Sequence, residues 1–155
     1  MLYTLIREDW TEETREGTVS PYITNNEAAC SHCGEARLYE PVIKLFEKAR
    51  KAYGKPININ SFYRCPEYQE KLQGSNPNAA TISPHTYGVA MDLAIPYGLT
   101  VLQLKSYFTQ AAKELGFLKP RFGHKQYKDA FLHVDLAFMV KDNPVPSAWK
   151  EGATA

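Results

Sequence analysis

Residues 83–96 read SPHTYGVAMDLAIP, and the second half of that stretch decides the fold. Val89, Met91, Leu93 and Ile95 alternate with Ala90, Asp92 and Ala94, the period of a strand with one apolar face, and Pro96 ends it. The other face carries a single carboxylate between two alanines, which leaves open space on both sides of it. The first half, SPHTYG, sets His85 seven residues before Asp92, with Gly88 able to turn the chain between them.

A second stretch answers the first. In AFLHVDLAFMV (130–140), Leu132, Val134 and Leu136 share one face of a strand, and His133 and Asp135 share the other. If the two strands pair, Asp92 and His133 sit side by side, and His85, swung back at Gly88, completes a triangle. Two imidazoles and one carboxylate, with a fourth position left to water, match a catalytic zinc site better than a structural one, which is usually closed by four ligands and rich in Cys. Each of these residues taken alone is equally well read as a hydrogen-bonded structural group.

Outward from these strands the chain is mixed. RLYEPVIKLFEKARKAYG (37–54) places Leu38, Val42, Leu45, Phe46, Ala49 and Tyr53 at helical spacing, and Gly54 is a natural stop. PININSF (56–62) predicts a short strand. PEYQEKLQG (66–74) predicts a helix with proline in its first turn. TVLQLKSYFTQAAKELG (100–116) predicts a second long helix, with Val101, Leu104, Phe108, Ala111 and Leu115 in its stripe. Segments 75–83 and 118–129 read as loops, and residues 1–37 read as irregular, with turn signals at 16–22 and 23–29. The expectation is a single α+β domain over 1–155: a small, mostly antiparallel sheet carrying the ligands and packed on one face by helices. Residues 1–25 form an irregular N-terminal segment in this reading, and 141–155 a tail.

Composition bounds the function classes. Eighteen Lys and Arg against seventeen Asp and Glu give a net charge of +1 with no basic block, so no nucleic-acid footprint is expected. No apolar run approaches the ~18 residues of a membrane span. The opening MLYTLIREDWTEETREG lacks a basic segment followed by a long apolar one, so no secretory leader is expected, and the protein is made in the cytoplasm. Three cysteines are an odd number for a disulfide framework. CSHC (30–33) offers a C-x-x-C pair around His32, and Cys65 is the remaining thiol. Partly buried reduced thiols are favoured here; a second metal site or a redox pair are the alternatives.

SPHTYGVAMD (83–92) fits S-x-H-x-x-G-x-A-x-D at all five fixed positions, and so resembles the zinc D-Ala-D-Ala carboxypeptidase and L-Ala-D-Glu endopeptidase family, whose fold is shared with the hedgehog domain. HVD (133–135) looks like that family's last-ligand strand. SFYRCPEYQ (61–69) is similar to its S-x-Y-R-x-P-x-x-N segment, with Gln69 where Asn is commoner. The stretch from Glu27 to Arg50 resembles the start of a branch of bacterial and phage cell-wall hydrolases.

The resemblance implies zinc held by His85, Asp92 and His133. It implies Arg64 meeting a substrate carboxylate, for which a planar guanidinium is suited, and Ser83 bonding the bound peptide. A surface salt bridge and a turn cap are the plainer readings of those two. The implied substrate is the stem peptide or crosslink of peptidoglycan, acted on by a monomer that reaches the wall after lysis, through a pore, or as part of a phage particle. The chain departs from the family where many members carry the general base three residues before the last ligand, since Ala130 stands there. Asp135 is favoured as the substitute, with Asp129 next and His124 or Tyr127 behind. Asp135 could equally orient a ligand imidazole. The departure also admits a module that keeps zinc and the wall but not catalysis.

Overall fold

The computed structural model describes residues 5–7, 17–75, 83–117, 120–125 and 130–139. In chain order the elements are β1 (Leu5–Arg7), β2 (Thr18–Ser20), β3 (Ile23–Thr24), α1 (Asn25–Ala28), β4 (Ala36–Leu38), α2 (Glu40–Tyr53), β5 (Ile59–Ser61), α3 (Pro66–Ser75), a 3₁₀ turn (Pro84–Tyr87), β6 (Ala90–Ala94), α4 (Val101–Leu115), β7 (Arg121–Lys125), β8 (Phe131–Asp135) and a closing 3₁₀ turn (Ala137–Met139). Four of the strands form the main sheet in the order β5-β6-β8-β7, every pair antiparallel. The α+β expectation is met, with the helices against one face.

The two long helices form for local reasons. Thr100 caps α4 by accepting from the Gln103 backbone N–H while the Gln103 side chain returns to the Thr100 N–H. Gly116 closes the helix in the left-handed region at φ 71°. Helix α2 has proline in its first turn and Gly54 at φ 80° beyond its end. Their stripes meet across Phe46 and Phe108, ring centroids 6.3 Å apart. Met91 and Leu93 of β6 and Leu132 and Val134 of β8 are fully buried in the same core. Each such side chain contributes about 1.5–3 kcal/mol by leaving water.

Two sequence expectations are corrected. Residues 1–37, and with them the segment 1–25, are not simply irregular: β1 pairs with β4, and β2 with β3 across a turn at Pro21 and Tyr22. These strands run only two or three residues, too short to display alternation, and the β1–β4 partners lie about thirty positions apart. Pairing with β1 also explains why α2 starts at Glu40 rather than near residue 37. The loop expected over 118–129 contains β7, an edge strand whose sequence RFGHK carries charge and a glycine where an apolar run would announce a strand. The expected tail, 141–155, lies outside the described residues.

Gly88 sits at the tightest crossing. It adopts φ 69°, its carbonyl accepts from the Tyr39 N–H, and a Cβ placed there would lie 2.0 Å from the Arg37 carbonyl oxygen. Gly88→Ala should lower the unfolding free energy by more than ~2 kcal/mol, from left-handed strain plus the backbone clash. Gly54→Ala, at a similar φ but with nothing within 4 Å, should cost only ~1–2 kcal/mol. Urea unfolding of the two variants makes the comparison.

Candidate metal centre

Register brings the site together. Asp92 of β6 lies directly opposite His133 of β8, and Ala90 lies opposite Asp135. Directly opposed residues share a face, so the carboxylate and the imidazole project side by side. His85 arrives from the 3₁₀ turn, whose first N–H groups are capped by Ser83: its hydroxyl oxygen accepts from the His85 N–H at 3.2 Å. The rings of His85 and His133 meet edge to face, centroids 5.3 Å apart. Both histidines are fully buried and Asp92 is 8% exposed.

The hydrogen bonds fix which nitrogen of each ring faces inward. Nδ1 of His85 lies 2.7 Å from the Phe62 carbonyl oxygen, which can only accept, so Nδ1 carries the proton and Nε2 presents a lone pair. Nε2 of His133 lies 2.7 Å from Asp135 Oδ2, so this nitrogen donates and Nδ1 faces inward. The inner atoms converge on one oxygen: His85 Nε2 is 3.2 Å and His133 Nδ1 2.9 Å from Asp92 Oδ1. Nε2 of His85 is buried with no hydrogen-bond partner, because a lone pair facing a carboxylate is not a bond. The lone pairs of His85 Nε2 and Asp92 Oδ1 thus face each other out of water, with His133 Nδ1 beside them able to shed its proton, a set that a cation satisfies.

Zinc fits this donor set. The three ligand atoms lie within 4.8 Å of one another, and bonds of 2.0–2.1 Å about a tetrahedron call for separations of about 3.3 Å. The two separations from Asp92 Oδ1, 3.2 and 2.9 Å, lie within a few tenths of an ångström of that edge. Every ligand is also held from behind. Asp92 Oδ2 accepts from Arg64 Nη2 at 2.9 Å, which leaves Oδ1 to the site. Arg64, 7% exposed, further donates to Ser61 Oγ at 3.1 Å and to Gln69 Oε1 at 3.4 Å.

Charge follows from these contacts. Burial pushes the His85 pKa down to about 4, helped by the Arg64 guanidinium, so the ring is neutral at physiological pH. Burial opposes charge on His133 too, but its bonds to Asp135 and Asp92 outweigh burial and raise its pKa. Burial disfavours the Asp92 carboxylate, yet the two imidazoles hold its pKa far below the usual carboxylate range.

The other sequence-predicted residues fall in place as follows. Ser83 is buried and serves as the turn cap, the plainer of its two readings. Arg64 holds Asp92 through a buried rather than a surface pair, and both line an open cleft of about 510 Å³ together with Ser61 and Tyr68. Asp135 has no oxygen to spare: Oδ1 accepts from Arg121 Nε and the Ala137 N–H, and Oδ2 from Arg121 Nη2 and His133. That is the arrangement of an acceptor orienting an imidazole. His124 pairs with Leu132, on the face away from the ligands. Asp129 and Tyr127 lie outside the described residues.

Sequence reasoning missed Arg121 and the Phe62 carbonyl. Arg121 is opposite Asp135 in β7 and stacks its guanidinium 5.7 Å from the Phe138 ring. Its one sequence signal was the alternation of Arg121, Gly123 and Lys125 against Phe122 and His124. A backbone acceptor leaves no signal at all.

The sequence model of the family described as Peptidase M15 matches residues 11–135. No curated protein matches the chain significantly. Among solved structures, the L-Ala D-Glu endopeptidase ChiX of Serratia marcescens is similar at 20% identity and a TM-score of 0.52, over 66% of this chain and 82% of that one. At that identity the likeness is one of fold.

Zinc binding should displace a proton from His133 wherever its raised pKa keeps it charged. Affinity should therefore climb by up to about tenfold per pH unit below that pKa and level off above it. Titration calorimetry in buffers of different ionisation enthalpy reads both the proton and the slope; proton release growing as pH rises would contradict the assignment.

Proposed function

The chain belongs to the peptidase M15 family, and on that premise we propose that it is a zinc-dependent peptidase acting on the stem peptides or crosslinks of bacterial peptidoglycan. The observation that carries the proposal is the convergence of His85 Nε2, His133 Nδ1 and Asp92 Oδ1 at the edge of an open cleft. The family and the wall-peptide endopeptidase whose fold the chain shares support the substrate class.

When bound, zinc supplies Lewis acidity, polarising the scissile carbonyl and acidifying the attacking water toward a pKa of ~7. The protein's part is orientation and proton handling. His85 is held in one tautomer by the Phe62 carbonyl and offers a lone pair without rearrangement, and His133, oriented by Asp135, offers one once its inner proton leaves. Arg64 turns the Asp92 carboxylate and lines the cleft where a peptide carboxylate or carbonyl would lie. Asp135, clamped by Arg121, positions His133 and strengthens it as a donor. That leaves Asp129, the carboxylate four residues before His133 in the sequence, to take the proton from the attacking water and pass it to the leaving amine, a contribution of ~10²–10⁴-fold.

A second reading rests on Ala130 standing where many relatives carry the base. A chain that bound peptidoglycan and zinc but released no new amine termini would be a binding module of the same fold.

The two carboxylates separate by experiment. With purified protein and muropeptides resolved by mass spectrometry, His85→Ala should abolish both zinc content and cleavage. Asp135→Asn should weaken zinc affinity ~10–100-fold, as removal of an orienting acceptor does. Asp129→Asn should keep full zinc content and lose ~10²-fold or more in kcat. Cleavage undiminished in His85→Ala would end the proposal.

A further inference from the structure

Away from the candidate centre, the three cysteines meet. Cys30 and Cys33, in the turn after α1, and Cys65, immediately before α3, have their Sγ atoms within 4.8 Å of one another. Among the described residues none is in a disulfide. His32 lies beside one of them, its Nδ1 3.5 Å from Cys65 Sγ, with its ring tilted against Tyr68 at a centroid distance of 5.9 Å.

We propose that Cys30, Cys33 and Cys65, with His32 Nδ1 as the fourth ligand, form a second, structural site for a soft divalent metal, zinc in the first instance. Zn–S bonds of ~2.3 Å and a Zn–N bond of ~2.0–2.1 Å about a tetrahedron set an S···S edge of about 3.8 Å and an S···N edge of about 3.6 Å. The S···N separation of 3.5 Å from His32 to Cys65 matches one such edge, and the sulfurs lie within about an ångström of theirs. A Cys₃His set is among the closed donor sets that structural zinc adopts.

Backbone donors are directed at two of the sulfurs. Cys30 Sγ receives the backbone N–H groups of His32 at 3.4 Å and Cys65 at 3.3 Å, and Cys65 Sγ receives that of Tyr68 at 3.4 Å. A neutral thiol is a weak acceptor, and three donors directed at two sulfurs suit thiolates, whose charge a dication would offset. The turn itself is tight: the Gly34 N–H bonds to the Cys30 carbonyl at 2.8 Å, the Cys30 N–H to the Glu35 carbonyl at 2.7 Å, and Gly34 takes φ 77°. Cys33 is exposed while Cys30 and Cys65 are buried, so metal can enter from a cleft lined by His32, Cys33 and Cys65. Coordination through Nδ1 leaves the proton on Nε2, and the 3.3 Å contact of that nitrogen with Lys71 Nζ gives way to solvent.

The role is positional. Cys65 follows Arg64, the residue that turns Asp92, and a metal at the cysteines would tie that segment to the N-terminal part of the chain. None of His85, Asp92 or His133 takes part, so this site and the peptidase reading fail independently.

The full-length protein, purified without oxidant and loaded with cobalt(II), provides the test. The catalytic donors include no sulfur, so a sulfur-to-cobalt charge-transfer band in the near ultraviolet reports this site alone. The band is expected in the wild type and, undiminished, in a His85→Ala, His133→Ala variant. Wild type should hold two zinc ions per chain and that variant one. Cys33→Ser, at an exposed position that the fold tolerates, should weaken this site ~10²-fold or more in chelator competition. A wild-type protein with no such band, or with a disulfide among the three cysteines on alkylation and mass spectrometry, would overturn the inference.

Discussion

Two buried imidazoles have their outer nitrogens spoken for, and everything else about the site follows from where that leaves the inner ones. A carbonyl that can only accept fixes the tautomer of His85, and a carboxylate orients His133. The lone pair of His85 then meets Asp92 Oδ1 in a place where water cannot relieve the repulsion. Proteins tolerate such an arrangement when a cation binds there. A site assembled to satisfy only itself would have placed a donor, an Asn amide or a Ser hydroxyl, opposite His85 Nε2.

The sheet explains how so short a chain holds that arrangement. Opposed positions in β6 and β8 put Asp92 beside His133 without any loop having to find its place, and the alternation that exposes them also sends Met91, Leu93, Leu132 and Val134 into the core. A one-residue slip would turn the ligands toward the core and the core residues toward the site, so the hydrophobic face enforces the register of the polar one. Beyond them β7 adds Gly123 opposite His133 and Arg121 opposite Asp135, where a cation is needed. The edge strand is thus chosen for what it does to its neighbour rather than for its own propensity.

That division marks what could be read from the sequence. Asp92, His133 and His85 were legible because their spacing lies within elements that declare themselves by period, and a turn glycine linked the first two ligands. The helices were legible from their stripes and stops, apart from the first turn of α2, which β1 takes from outside. Arg121 was not legible, because a charged edge strand has no apolar alternation and its partner is fourteen residues away. The clamp on Asp135 changes that residue from a free carboxylate into a support, a distinction that requires knowing what lies across the strand pair. The cysteine cluster was half legible: the C-x-x-C turn is visible in the chain, its meeting with Cys65 only in space.

Residues 61–65 join these threads. The segment leaves the end of β5, so its backbone gains little from the sheet, yet its groups must stand still if the site is to work. Ser61 Oγ and Gln69 Oε1 steady the Arg64 guanidinium, and the Phe62 carbonyl sets His85. The N–H groups that follow are satisfied one by one from two parts of the chain: Tyr63 by the Ala28 carbonyl, Arg64 by the His85 carbonyl, and Cys65 by Cys30 Sγ. Two of those anchors, Ala28 and Cys30, belong to the N-terminal segment that looked irregular in sequence. Its short elements therefore do more than cover the core. They supply acceptors to a stretch that would otherwise be a loop, and fixing a loop to within fractions of an ångström is what a ligand-orienting arginine and a tautomer-setting carbonyl both demand.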